Sequence, residues 1–368
     1  MMRSCWKTLS WIGPGRQTPI FSFCALVVAL SALVGCAQTP RVGEESKRRG
    51  DEIVVAGRFF HTGAPVVLWT DPGGYDAYRV ERRFVPWENA SWDKSKDALR
   101  GPNRFDLRAS GLTPEEIERF RGGGWDLESL RGVVDQFVLH YDVCGTSRTC
   151  FRVLHDMRRL SVHFLIDIDG TIYQTLDVKE RAWHATISNT RSVGVEIAHM
   201  GAYKPGDQKT LSKWYAQDEL GNVRITIPPD KGDGGVRTPG FIGRPLVNEL
   251  IAGEVHGQQL EQPDFTPEQY ESLARLTAAL HAALPKIRLE APRDENGRVL
   301  TRALTEEEWR NFSGLLGHFH VQEDKIDPGP ALRWDLILDR ARAHLQGREP
   351  PPLRPEVRTS PAPAVPRS

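Results

Sequence analysis

Reactive side chains are most concentrated in one short segment, residues 317–329, which reads Gly-His-Phe-His-Val-Gln-Glu-Asp-Lys-Ile-Asp-Pro-Gly. The segment follows neither helix nor strand periodicity, which indicates a loop that carries a site. His318 and Asp327 stand nine positions apart. A histidine and a carboxylate in such an irregular loop can both reach one zinc ion, so the segment predicts part of a metal site.

A third ligand must come from elsewhere in the chain. His140 is the natural candidate, because it ends a continuous apolar run that is typical of a buried strand. Two histidines and one carboxylate leave the fourth tetrahedral position of zinc open for water, as in catalytic zinc sites. Any one of these histidines alone would more commonly be structural. Together, His140, His318 and Asp327 predict a hydrolytic Zn²⁺ centre, and His320 stays open as an alternative to His318.

The elements that must position these residues are a mixture of strands and helices. Residues 133–140 and 192–198 have the composition of buried strands, and residues 162–174 indicate a hairpin that turns at Asp169-Gly170. A capped amphipathic helix is predicted over residues 266–284. We therefore expect an α/β fold that holds the candidate ligands at strand ends and in loops.

Composition divides the chain into five parts. They are a signal peptide (1–35), a polar tether (36–52), an accessory N-terminal region with short strands (53–129), a main domain (130–346) and a Pro-rich disordered tail (347–368). Within the main domain, residues 203–265 are rich in Gly, Pro and Asp and far longer than an ordinary connection. We expect them to be an insertion that narrows one wall of a binding groove.

The N-terminal segment predicts export. Basic residues precede an apolar run over residues 21–34, which is short for a membrane span and is placed as in a signal peptide. Leu33-Val34-Gly35-Cys36 resembles the lipobox of bacterial lipoproteins, so we expect Cys36 to carry a lipid anchor. Ala37 follows, which is similar to the outer-membrane sorting pattern and predicts the periplasmic face of that membrane. An ordinary signal peptide with a chance cysteine is the alternative.

Cys144 and Cys150 are the cysteines that remain once the signal peptide is removed and Cys36 is acylated. An exported protein matures in an oxidising compartment, so we expect these two cysteines to form a disulfide that closes a small loop after His140. Zinc ligation by the two thiols is the alternative, although their spacing is not that of a zinc knuckle.

Five motifs, in this order, resemble those of the zinc N-acetylmuramoyl-L-alanine amidases, a family that includes phage amidases, bacterial muropeptide-recycling amidases and peptidoglycan recognition proteins. They are the strand that ends in His140, the hairpin of residues 161–170, Ala182-Trp183-His184-Ala185, Ser192-Val193-Gly194-Val195-Glu196, and Gly317-His318 with Lys325-Ile326-Asp327-Pro328-Gly329. The resemblance covers about residues 130–340 and implies a central mixed β-sheet flanked by helices, with the accessory strands N-terminal to it.

The resemblance also implies roles for single residues. Zinc would be held by His140, His318 and Asp327, as the residues themselves suggest, while Glu196 would act as the general base. Lys325 would stabilise the oxyanion, and His184 would line the cleft and contact substrate. Phe164 departs from those family members that carry tyrosine at this position, because a phenyl ring cannot donate a hydrogen bond.

The implied activity is hydrolysis of the amide between N-acetylmuramic acid and L-alanine in peptidoglycan or muropeptides. Lys and Arg together number 48, equal to Asp and Glu, so the charge offers no case for a nucleic-acid partner. The expected partners are the wall polymer and, through Cys36, a lipid membrane. A non-catalytic peptidoglycan-binding module, a zinc peptidase that cuts the stem peptide and a purely structural lipoprotein are the alternatives.

Overall fold

The computed structural model of this chain describes residues 40–91, 105–109 and 111–359. The predicted signal peptide (1–35) and the predicted lipidation site Cys36 lie outside these ranges, as does the end of the predicted tail. Among the described helices, none has both the length and the apolar character needed to cross a membrane.

A six-stranded mixed sheet forms the centre of the fold. Its strands are β3 (Val66–Leu68), β5 (Gln136–Tyr141), β6 (Phe164–Ile166), β7 (Ile172–Gln174), β9 (Ser192–Ile197) and β14 (Gly314–Gly317), in the spatial order β14-β5-β9-β6-β7-β3. All neighbours are parallel except β6 and β7, the predicted hairpin. Parallel strands end at the same edge of a sheet, so β5, β9 and β14 bring their last residues together.

Successive side chains along each strand point to opposite faces of the sheet. In β5, Phe137, Leu139 and Tyr141 belong to the main hydrophobic core, whereas Val138 packs in a small cluster on the opposite face. His140 therefore points to that opposite face. The register pairs His140 with Glu196 of β9, which places both side chains at neighbouring positions on one face of the sheet.

Helices flank the sheet on both faces. They are α1 (Pro114–Arg121), α2 (Leu127–Val133), α3 (Ser147–Phe151, continued as one π-helical segment over Arg152–Arg158), α4 (Pro267–Ala283), α5 (Glu306–Asn311), α6 (His318–Val321) and α7 (Trp334–Leu345). The predicted helix is α4, where Thr266 and Gln269 form a capping box and Leu273, Leu276 and Leu280 are buried. The expected α/β fold with a central mixed sheet flanked by helices is confirmed.

The N-terminal region contains the predicted short strands, and one of them joins the central sheet. Strands β1 (Glu52–Val55) and β2 (Arg58–His61) form a hairpin, but β3 is an edge strand of the central sheet. Strand β4 (Phe105–Asp106) pairs with β8 (Arg181–Ala182). From Pro40 onward the described chain belongs to one compact unit. Short strands with little apolar surface of their own cannot form an independent core, so they join the larger one.

The insertion at residues 203–265 is more regular than its composition suggests. It contains the hairpins β10–β11 (Tyr215–Gln217, Val223–Ile225) and β12–β13 (Ile251–Val255, Gln258–Gln262) and short 3₁₀ turns at Leu211–Lys213 and Pro229–Lys231. The backbones of Tyr203 and Glu261 bond each other in both directions, which closes the insertion at its base.

The predicted tether and tail are ordered where the structure describes them. Gly43 and Ser46 donate backbone hydrogen bonds to strand β2, so residues 43–46 run alongside that strand. At the other end, Glu356 donates to the carbonyl of Leu246, and Arg358 exchanges hydrogen bonds with Asn222. Polar and proline-rich segments have exposed backbone groups, which allows them to dock on a surface without forming regular elements of their own.

Candidate active site

Three predicted ligands meet in one cluster. The Nδ1 atoms of His140 and His318 lie 3.0 Å apart, and Asp327 Oδ2 lies 2.9 Å from the first and 3.0 Å from the second. All three side chains are largely buried. Three ligand atoms at these mutual distances can turn toward one small ion, and the two-histidine, one-carboxylate donor set is that of catalytic zinc sites. The residues present therefore fit zinc.

The sheet and the loop after it explain why the ligands converge. His140 is near the end of β5, and His318 directly follows β14, its parallel neighbour. The loop then returns Asp327 to the same place, where its carbonyl accepts a hydrogen bond from the backbone N–H of Phe319. The ligands thus come from two neighbouring strand ends and one returning loop.

The protonation states of the ligands suit a metal. Burial, and then the nearby His318, lowers the pKa of His140 to about 4, so its ring is neutral at pH 7. Burial alone would raise the pKa of Asp327, but the two histidines outweigh it and hold that pKa below its usual range. The neutral imidazole of His140 and the ionised carboxylate of Asp327 are forms that bind a metal without first losing protons.

Further hydrogen bonds orient the two ligand histidines. His140 Nε2 lies 3.0 Å from His184 Nδ1, and His184 Nε2 lies 3.2 Å from Ser192 Oγ. Gly194 makes room for this arrangement, because a Cβ there would lie 2.6 Å from the His184 ring. His184, predicted to contact substrate, lines the cleft and also orients His140 through the hydrogen bond to its Nε2.

Gln322 orients His318 as His184 orients His140, because its Oε1 lies 2.8 Å from His318 Nε2. Sequence reasoning missed this residue, although its position four residues after His318 is the spacing at which side chains meet on a helix turn.

His320, the alternative ligand, is occupied elsewhere. Its Nδ1 accepts from the backbone N–H of Gly317, and its Nε2 lies 2.7 Å from the carbonyl oxygen of Leu300. Burial lowers its pKa to about 3, so the ring is neutral with both nitrogens in use. The structure brings His318, not His320, to Asp327.

Glu196 is positioned for proton transfer. It pairs with His140 across the sheet and lines the same cleft, and its Oε2 is shielded from solvent without a hydrogen-bond partner among the described residues. Burial, followed by the charge of Asp327, raises its pKa well above the usual value. A carboxyl group whose pKa is raised takes up a proton more readily than an exposed carboxylate, as a general base must.

The cleft around these groups has a volume of about 510 Å³. Lys325 lines it and reaches Asp324 at 3.2 Å, and the cleft also contains Trp183 and Arg158, which sequence reasoning did not single out. Phe164 belongs to the core on the other face of the sheet. No described residue of the insertion lines the cleft, so the expectation that residues 203–265 narrow the groove is not met.

Cys144 and Cys150 lie at the edge of the same cleft as free thiols, so the expected disulfide is not formed in this structure. Their sulfur atoms and a carboxylate oxygen of Asp142 lie within 4.8 Å of one another. Burial raises the pKa of Cys150 well above its ordinary value.

Comparisons with known proteins identify relatives of this chain. The sequence model of a family described as N-acetylmuramoyl-L-alanine amidase matches residues 130–330, more than half of the 368-residue chain. The 1,6-anhydro-N-acetylmuramyl-L-alanine amidase AmpD of Haemophilus influenzae is 24% identical over 233 residues, which cover 63% of this chain and 78% of that protein.

Solved structures of amidases are also similar. A selenomethionine derivative of AmpD shares 17% identity, with 66% of this chain and 90% of that chain covered at a TM-score of 0.30. The amidase AmiD of E. coli, solved with anhydro-N-acetylmuramic acid-L-Ala-D-γ-Glu-L-Lys, shares 16% identity, with 56% of this chain and 57% of that chain covered at a TM-score of 0.30.

Proposed function

The chain belongs to the N-acetylmuramoyl-L-alanine amidase family, and from that premise we propose that it uses a zinc ion to cut the amide between N-acetylmuramic acid and L-alanine in muropeptides or peptidoglycan. One observation carries the proposal: the ligand atoms of His140, His318 and Asp327 lie within 3.0 Å of one another in a cleft that Glu196, the strand neighbour of His140, also lines.

In the proposed mechanism, His140, His318 and Asp327 hold the metal. When bound, zinc would supply a Lewis acid and lower the pKa of water toward about 7. Glu196 removes a proton from the attacking water, which adds to the lactyl carbonyl carbon of muramic acid. The ammonium group of Lys325 stabilises the negative charge on the carbonyl oxygen. Glu196 then returns the proton to the L-alanine nitrogen as the C–N bond breaks.

Two other functions compete with this proposal. A peptidoglycan-binding module would need neither a complete ligand set nor a proton carrier, whereas this cleft contains both. A zinc peptidase acting on the stem peptide would use the same groups, but the chain lacks a His-Glu-x-x-His helix, the commonest zinc-peptidase motif. The family membership favours the muramoyl amide as the scissile bond.

Purified muropeptides test the proposal directly. The chain from Ala37 onward is incubated with them, with and without a chelator, and the products are identified by mass spectrometry. We expect a free stem peptide that begins with L-alanine, and its release should stop when the metal is removed. Binding without cleavage would instead support the recognition module, and cuts between amino acids would support the peptidase.

We further propose that Cys36 carries a lipid anchor and that the protein lies on the periplasmic face of the outer membrane. The support is the lipobox-like sequence Leu33-Val34-Gly35-Cys36 after the apolar run, with Ala37 behind it. Cells grown with a labelled fatty acid should label the parent protein and not the Cys36→Ser variant. Unlabelled parent protein in the soluble periplasmic fraction would contradict the anchor.

A further inference from the structure

The hairpin β12–β13 of the insertion packs against the back of the loop that carries Asp327. None of its residues lines the cleft, yet two of its side chains reach the backbone of that loop. They are His256, in the turn of the hairpin, and Gln262, at the end of β13. Among the described residues, the hairpin therefore contacts the loop behind the cleft and not the cleft itself.

Gln262 closes the segment that follows Asp327. Its Nε2 donates to the carbonyl of Pro328 at 3.1 Å, and its Oε1 accepts from the backbone N–H of Ala331 at 3.0 Å. The side chain is fully buried. Gly329 has a left-handed φ of +80° and packs so closely that a Cβ there would lie 2.1 Å from Gln262 Oε1. The NH₂ group and the carbonyl oxygen of the Gln262 side chain thus both bond to the backbone of one turn in the loop that carries Asp327.

His256 holds the other side of the same loop. Its Nε2 donates to the carbonyl of Lys325 at 3.0 Å, and its backbone N–H donates to the carbonyl of Thr301. The carbonyl of Asp327 itself is held by the N–H of Phe319. Three carbonyls around the metal ligand and the cleft lysine, those of residues 325, 327 and 328, are therefore fixed by hydrogen bonds.

We infer that Gln262 and His256 are positioning residues that hold Asp327 and Lys325 in place, and that the insertion acts on the site through the back of this loop. The inference rests on the proposed function, because it takes Asp327 as a zinc ligand. Backbone bonds of this kind restrict where the carboxylate and the ammonium group can lie before a metal or substrate arrives. Loss of groups that orient a metal ligand through hydrogen bonds typically weakens metal binding or activity by about 10- to 100-fold.

The test compares two glutamines of one strand. Gln262→Leu removes both bonds to the loop at nearly constant volume, and Gln259→Leu changes an exposed side chain whose only side-chain hydrogen bond among the described residues is to Glu254. For each variant, thermal unfolding without metal, the zinc Kd by chelator competition, and kcat and KM on a muropeptide are measured. We expect Gln262→Leu to weaken zinc binding by about 10- to 100-fold, and Gln259→Leu to match the parent.

His256→Asn provides a second arm that does not depend on the fate of Gln262→Leu. Asparagine tolerates the left-handed backbone at this position, where φ is 52°, but is too short to reach the Lys325 carbonyl. We expect a lower kcat with nearly unchanged KM, because Lys325 acts on charge that develops during the reaction. If Gln262→Leu does not fold, the His256→Asn measurements still test the inference.

The outcomes separate this inference from the proposed function. If the parent binds no zinc and cleaves no muropeptide, the proposed function fails. If the parent is zinc-dependent while the folded Gln262 and His256 variants keep its zinc Kd and kcat, only the positioning role is overturned.

Discussion

Asp327 and Glu196 are two of the carboxyl groups that line the cleft, and their surroundings move their pKa values in opposite directions. The two histidines lower the pKa of Asp327 below its usual range. Burial, followed by the negative charge of Asp327, raises the pKa of Glu196. A pair of acids whose pKa values are driven apart divides its roles between charge and proton transfer. Asp327 suits a permanent ligand, and Glu196 suits the group that exchanges protons.

Replacing Glu196 with glutamine should leave the metal site intact and remove the proton carrier. We expect kcat to fall by about 10²- to 10⁴-fold, the range that general acid–base catalysis contributes. The measurements are kcat on a muropeptide and the zinc content of the purified variant. Full activity would remove Glu196 from the mechanism, whereas loss of zinc would show that it also supports the ligands.

The thiols of Cys144 and Cys150 are close enough for a small shift to join them. For protein exported to an oxidising compartment, we predict a Cys144–Cys150 crosslink in peptide mass spectrometry without reduction. The Cys144→Ser variant, which cannot form it, should unfold at a lower temperature than the oxidised parent and at about the temperature of the reduced parent. Two alkylatable thiols in the exported protein would contradict the disulfide.

At the scale of elements, hydrogen bonds from one histidine join the two ends of the insertion. His199, two residues beyond β9, has its Nε2 3.0 Å from the carbonyl oxygen of Pro263, and its Nδ1 accepts from the N–H of Gly201. One imidazole thus joins the start of the insertion to its end. Burial lowers the pKa of His199 to about 4, so the ring stays neutral in the folded protein down to about pH 4.

A pH dependence follows from His199. Between about pH 6.5 and pH 4 the unfolded chain protonates this imidazole and the folded chain does not, so stability falls as the pH falls. His199→Gln can keep a hydrogen bond to Pro263 but does not titrate. From pH 7 to pH 5, the metal-free parent should lose about 2 kcal/mol more unfolding free energy than this variant, as measured by urea unfolding. Equal losses would show that His199 titrates normally in the folded state.

At the scale of the whole molecule, the family match begins at residue 130, but the folded unit begins earlier. The fully buried Arg108 donates to the carbonyls of Val178, Asn189, Thr190 and Ser192, which surround the start of β9. Burial lowers the pKa of Arg108 to about 9. Because β9 carries Glu196, the N-terminal part supports the strand of the proposed general base.

A chain that begins at residue 130 should therefore not fold cooperatively. It would lose the edge strand β3 and leave four carbonyls without the Arg108 guanidinium, and each unsatisfied buried group costs about 1–3 kcal/mol. A chain that begins at residue 40 keeps these contacts and serves as the control. Circular dichroism during heating compares the two. Equal, cooperative transitions would show that residues 40–129 are dispensable.

Much of the fold and of the site could be predicted from particular residues. The buried strand before His140, the turn at Asp169-Gly170 and the helix Pro267–Ala283 depend on local patterns, and the structure contains all three. The docking of β3 on the central sheet could not be predicted in this way. It depends on pairing with β7, more than a hundred residues later in the chain, and no local pattern reports such a partner.

The sequence by itself determined the donor types, the family motifs and the strand ends that carry them, because hydrophobic period and turn residues act over a few positions. Only the tertiary structure placed His318 rather than His320 beside Asp327, gave His184 its hydrogen bond to His140, and placed the insertion hairpin behind the loop that carries Asp327. These outcomes depend on which nitrogen or carbonyl meets which partner across the fold, and that is set by packing between distant segments.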